Sequence, residues 1–237
     1  MRRVLIALGI LVVLLVITDR VAVAVANRAV AKQIRTELEL QQTPSVRIHG
    51  FPFLLQAIGG RYDDVEVQIP DVDSGPLQNI RVDARLHGVR APLDRVVGGR
   101  LDEVPIKDVA GSLAVGYADL ARASGIPGLR LAAEGGALRV TGQVQLGGRQ
   151  IEASARGTIS VVDNDLLVTA DQAEVGGVEM PPAALAVAAR LLSFRVSPRS
   201  LPLSLRITAV RVGADSLIVQ AQARDVVLRR GDIPVTR

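Results

Sequence analysis

His49 and His87 are the only histidines in a chain of 237 residues that contains no cysteine. Thiolate nucleophiles, disulfides and cysteine-ligated metals are therefore excluded by composition. A zinc site would need both histidines, with carboxylates completing the tetrahedron, and no recognisable ligand spacing brings them together. Asp63 and Asp64 are adjacent, so in an extended strand they point to opposite faces, which argues against a paired acid/base dyad. Asp71-Val72-Asp73-Ser74-Gly75 begins like a calcium loop but lacks the later acidic ligands and flanking helices, and reads as a turn. No G-x-S-x-G elbow, phosphate-cradling loop or dinucleotide fingerprint occurs. Catalytic residues, a metal and a cofactor are all expected to be absent.

The composition instead describes an unusual interior. Hydrophobic residues make up 49% of the chain and aromatics 2%, so the core must be built from Val, Leu, Ile, Ala and Gly. Net charge is +4, and almost every basic residue is arginine, with lysine only at 32 and 107. There is no basic stripe interleaved with aromatics, so nucleic acid is not an expected partner.

Met1-Arg2-Arg3 is a short basic head, followed by the uninterrupted apolar run VLIALGILVVLLVI, Val4 to Ile17. Fourteen residues suit a secretory h-region and fall short of the roughly 20 of a full span. Thr18-Asp19-Arg20 interrupts, and VAVAVA (Val21 to Ala26) resumes with small residues suited to cleavage near Ala24 or Ala26. Residues 1–26 are thus a signal peptide or a retained membrane anchor. The polar trio lies where an h-region should run on into its cleavage site, which favours the anchor. Arginines at the head place the N-terminus in the cytoplasm and the remainder outside it. From Val21 to Leu40 the pattern is helical, with Val21, Val25, Ala29, Ile34 and Leu38 near one stripe.

Beyond Pro44, residues alternate with period 2. Val65, Val67 and Ile69 oppose Asp64, Glu66 and Gln68; Ile80, Val82, Ala84 and Leu86 oppose Arg81, Asp83, Arg85 and His87. The same device recurs at 138–146, 151–161, 203–207 and 217–223, with turn residues at Gly147-Gly148 and Asp163-Asn164-Asp165. This predicts antiparallel sheet with one dry face and one wet face. Helices are expected at Tyr117–Ser124 and Pro181–Phe194. The latter has Arg190 as its only charge, so enclosure against the sheet is expected on nearly every side. Between the strands SVRIHG and YDDVEVQI lies FPFLLQAIGG, where Pro52 suits a first helical turn and Gly59 the residue past its end. No linker divides the chain, and residues 27–237 read as one α+β domain.

The segment VRIHGFPFLLQAIGGRYDDVEVQIPDV, with Gly50-Phe51-Pro52-Phe53, Gln56 and Gly60, resembles the opening of the actinobacterial LmeA-like phospholipid-binding family. The apolar N-terminus running into Thr18-Asp19-Arg20-Val21-Ala22, and the ending Leu201 to Leu228, are similar to that family as well. The resemblance implies a cell-envelope protein that binds phospholipid and serves envelope lipid or lipoglycan maintenance. It also implies a strongly curved antiparallel sheet wrapped around one or two helices, as in the tubular lipid-binding superfamily. It carries no catalytic residues.

The residues give their own grounds for a guest. Inner strand positions are often small (Ala84, Gly142, Ala153, Ala155, Gly157, Ala221, Ala223), and small side chains on a curved sheet leave volume that costs stability if empty. An acyl chain filling it would gain about 0.8 kcal/mol per buried methylene before ordering costs. The expected tail-lining residues are Phe51, Phe53, Leu54, Leu55, Ile58, Leu185, Leu191 and Leu192. Arg47, His49, Arg61 and Arg195 flank these elements and are the candidates for the headgroup phosphate. Expected partners are phospholipid, the membrane and the envelope glycolipid machinery. The alternative is a membrane-anchored envelope adaptor with a fully packed interior.

Overall fold

The computed structural model describes residues 2–74, 77–92, 103–146, 149–175, 182–196 and 205–229. The expected Gly147-Gly148 turn, Gly75, Pro181, Leu203 and the side chain of Leu185 lie outside the described residues.

The described chain is α+β, with four helices and eleven strands in two antiparallel sheets. Helix α1 (Arg2–Glu37) leads into β1 (Ser45–His49), α2 (Phe53–Gly59), β2 (Arg61–Ser74), β3 (Leu77–Arg90) and β4 (Glu103–Gly116). Helix α3 (Tyr117–Ala123) then precedes β5 (Arg130–Glu134), β6 (Ala137–Leu146), β7 (Arg149–Val162) and β8 (Asp165–Val175). Helix α4 (Pro182–Leu192), β9 (Phe194–Val196), β10 (Arg206–Val212) and β11 (Ser216–Arg229) complete it. The six-stranded sheet has the order β1-β2-β3-β4-β11-β10 and the five-stranded sheet the order β5-β6-β7-β8-β9.

Alternation alone explains most of these strands, because each can bury one row of side chains and solvate the other. The Asp163-Asn164 turn behaves as its residues require. Both take positive φ (51° and 70°) and close the β7–β8 hairpin, the geometry of a primed two-residue turn. The Asn164 carboxamide also joins the sheets, donating to Leu205 O (3.0 Å) and accepting from the Ile207 N–H (2.6 Å).

Two buried clusters form. One, centred on Leu120, Leu138, Val140, Val168, Leu192 and Leu217, lies between the five-stranded sheet, α3, α4 and one end of the six-stranded sheet. The other, with Ala31, Val46, Phe53, Ala57, Tyr62 and Val109, joins α1 and α2 to the opposite end of the six-stranded sheet.

Two expectations about helices are corrected. In α1 the packed stripe is Ala22, Val23, Ala26, Val30, Ala31 and Ile34, while Val21 and Val25 are exposed. A helix apolar on most sides gives little rotational signal, and the polar residues Asp19 and Asn27 settle which side faces the domain. In α4, Ala188 and Leu192 are buried but Val187 and Leu191 are exposed. The helix packs on β8, β6 and β7 through Ala188 and Leu192, while Val187 and Leu191 on its other face stay exposed.

Candidate functional site

Each residue of the Gly50–Gly60 motif has a local reason. Gly50 has φ 107°, and a Cβ there would lie 2.1 Å from the Gln56 Nε2, so the position suits glycine alone. Gln56 stitches the two flanking strands: its Nε2 donates to His49 O (3.4 Å) and its Oε1 accepts from the Asp63 N–H (3.2 Å). Gly60, one residue later than the sequence suggested, ends α2 in the left-handed region (φ 60°), and its N–H bonds to Ala57 O. Its carbonyl accepts from the Ala91 N–H at 2.9 Å. Replacing Gln56 with alanine is expected to lower stability by about 1 kcal/mol, since both bonds are partly solvated. Denaturant unfolding reads this as a reduced midpoint with unchanged slope.

Helix α2 has no capping side chain of its own at Pro52. The cap comes from α1. Asp19 Oδ1 accepts the Leu54 N–H at 2.9 Å, and Asn27 Oδ1 accepts the Ile48 N–H at 3.0 Å. Asp19 is only 2% exposed and is paired with the Arg20 guanidinium at 2.6 Å. That guanidinium stands 5.1 Å from the centroid of the Phe51 ring. The trio that interrupts the apolar run is therefore the docking point of α2.

The expected tail residues fall in two places. Phe53 is 3% exposed, its ring 6.3 Å from that of Tyr62, and burial pushes the Tyr62 hydroxyl pKa up. Leu54 is half-buried against the same cluster. Leu55 and Ile58 are 66% and 80% exposed on the outer face of α2, and Phe51, just before the helix, is 63% exposed. Leu191 and Leu192 belong instead to α4 on the five-stranded sheet.

The headgroup candidates also separate. Arg61 and Arg90 face each other across β2 and β3 and, with Ala57, Ile58, Gly59, Gly60 and Pro92, line a shallow hollow of about 350 Å³ beneath α2. His49 lies on the wet face 3.3 Å from Glu66. Arg47 is in register with Glu66, within a solvated ladder that includes Asp64, Arg85 and His87. Arg195 pairs with Asp165 at 3.4 Å, on the five-stranded sheet. Among the described residues, no three His, Asp or Glu side chains group as a metal set.

The small inner residues divide equally clearly. At Gly142 an added Cβ would meet Leu192 Cδ2 at 3.0 Å and Leu129 Cδ1 at 3.5 Å; at Gly157 it would meet Val140 Cγ2 at 2.8 Å. In the five-stranded sheet the space beside these glycines is filled by the protein itself. In the six-stranded sheet, Val67, Ala84, Gly111, Ala221 and Ile207 form one register row across β2, β3, β4, β11 and β10. Ala221 is buried and Ala84 and Gly111 are half-buried, though none of the three belongs to either buried cluster. A Cβ on Gly111 would meet the Asp83 carbonyl oxygen at 3.4 Å and, among the described residues, no side chain within 4 Å. This row is a strip of small residues between two packed ends. Sequence reading picked out Ala84 and Ala221 but not Gly111; the signal was an alternation Val109-x-Gly111-x-Leu113 with its centre missing.

A family model described as LmeA-like phospholipid-binding matches residues 17–222. No curated protein matches the chain.

Proposed function

The chain belongs to the LmeA-like phospholipid-binding family, and on that footing we propose that it binds phospholipid without catalysis, held at the extracytoplasmic face of the membrane by α1. The acyl chain lies across the Ala84–Gly111–Ala221 strip, where the side chains are smallest. Phe51, Leu55 and Ile58 form the mouth, and Arg61 beside them meets the phosphate. Such a protein presents or carries envelope lipid for lipid or lipoglycan maintenance.

The observation that carries this proposal is the small-residue row at Gly111, where among the described residues no side chain comes within 4 Å of an added Cβ, while its neighbour Ala221 is buried. The anchor is retained, because cleavage near Ala24 or Ala26 would remove Asp19 and with it the cap of α2.

Native mass spectrometry of gently extracted full-length protein tests both points. The expected result is a phospholipid adduct on a chain that still contains Asp19. A bare mass from every preparation overturns lipid binding and favours the packed adaptor; a chain beginning near Val25 or Asn27 overturns the anchor.

A further inference from the structure

The apolar run Val4–Ile17 spans about 21 Å as a helix, against roughly 30 Å for a bilayer core. Helix α1 nevertheless continues without a break to Glu37. Counting on to Val25 gives about 33 Å, enough to cross, but this longer segment contains Asp19 and Arg20. A carboxylate facing lipid is costly. Here Asp19 does not face lipid: it is buried under α2, bonded to the Leu54 N–H and paired with Arg20.

What α2 turns outward is Leu55 and Ile58, with Phe51 exposed just before it and Val21 and Val25 exposed on α1. An exposed apolar cluster of this kind marks a contact surface. Arg61 and Arg90 stand at its edge and make no ion pair among the described residues, as suits anionic headgroups. The long Arg20 side chain, half-exposed, can reach toward the same headgroup layer.

We infer that α2 and the Phe51 that precedes it form a membrane-seated wedge: the Phe51, Leu55 and Ile58 side chains enter the outer leaflet of the bilayer that α1 crosses, sheathing Asp19 and completing the apolar length of the span. The inference rests on the proposed membrane-anchored reading and deepens it, since the mouth of the lipid site then opens directly into the leaflet.

The chain has no tryptophan, so a single introduced indole reports its own surroundings. Leu55→Trp and Ile58→Trp, each in full-length protein reconstituted into phosphatidylcholine/phosphatidylglycerol vesicles, are compared with Leu14→Trp in the apolar run and Leu191→Trp on α4. With lipids brominated along their tails, Leu55→Trp and Ile58→Trp are expected to lose at least half as much fluorescence as Leu14→Trp, while Leu191→Trp loses almost none. If Leu55→Trp and Ile58→Trp match Leu191→Trp while Leu14→Trp is quenched, α2 is not in the leaflet and the inference is overturned. An unquenched Leu14→Trp overturns the placement of α1 and the inference together. Adding Gly111→Leu separates the bilayer from a bound lipid. Quenching that persists supports the wedge, and quenching that vanishes assigns the signal to the strip and overturns it.

Discussion

Replacing Gly111 with leucine is expected to strip phospholipid from the protein while leaving it folded. Gly111 sits in mid-strand, outside the positive-φ glycines, paired with Ala84 on one side and Ala221 on the other. A side chain therefore meets no backbone strain, and leaving glycine in a strand raises β propensity. The Asp83 carbonyl at 3.4 Å is an ordinary contact. The added leucine takes the space of three or four methylenes of the guest, each worth about 0.8 kcal/mol. Affinity then falls by about 2–3 kcal/mol, roughly 30- to 150-fold. Adduct occupancy in native mass spectra, alongside thermal unfolding, reads both halves. Wild-type occupancy in a folded Gly111→Leu protein means the lipid does not lie on this strip, and Ala84→Leu is the companion that fills it from the neighbouring strand.

The strands were legible because period-2 alternation has one physical cause, a sheet with a wet side. Val65-Val67-Ile69 and Leu217-Val219-Ala221 sit where that cause puts them. Alternation names a face but not a partner, so the division into two sheets was not readable. The buried register also steps by an odd number at one level of the six-stranded sheet. Tyr62 joins Val65, Val89 joins Leu86, Ile106 joins Val109 and Val226 joins Ala223, all in one cluster. Gly88 (φ 65°) and Asp225 (φ 49°) take left-handed backbone at this level, and a single left-handed residue re-aims those that follow it in a way no hydrophobic pattern encodes.

Small residues mislead for a related reason. Gly142 and Gly111 look alike in sequence, yet Leu192 occupies the space at the first, and among the described residues no side chain comes within 4 Å of a Cβ at the second. Whether glycine means a close approach or an opening depends on what lies across the sheet. The apolar N-terminal segment was legible as length, but its polar interruption was not. Asp19 read as the end of something, and its partner, the Leu54 N–H, lies 35 residues later.

Asp19→Ala is expected to loosen α2 without disturbing either sheet. The seven-residue helix α2 begins at Phe53 with no cap from its own neighbours, and a helix this short has little intrinsic stability in water. Its first turn is held by the Asp19 carboxylate on the Leu54 N–H, a charge-assisted bond worth about 1.5–3 kcal/mol. Losing it also frees Arg20 from its carboxylate, and with it the guanidinium now held over Phe51. Hydrogen exchange of the Phe53–Gly60 segment in reconstituted protein should therefore quicken roughly tenfold to hundredfold, while β3, β4 and β11 keep their protection. Asp19→Asn keeps an oxygen facing the Leu54 N–H and should fall between the two. Because α2 carries Leu55 and Ile58 of the proposed mouth, lipid exchange with vesicles should change in step with its loosening even though the Gly111 strip is intact. Unaltered exchange at Leu54 in Asp19→Ala would show that packing of Phe53 and Ala57 alone seats the helix, and that the carboxylate in α1 has some other use.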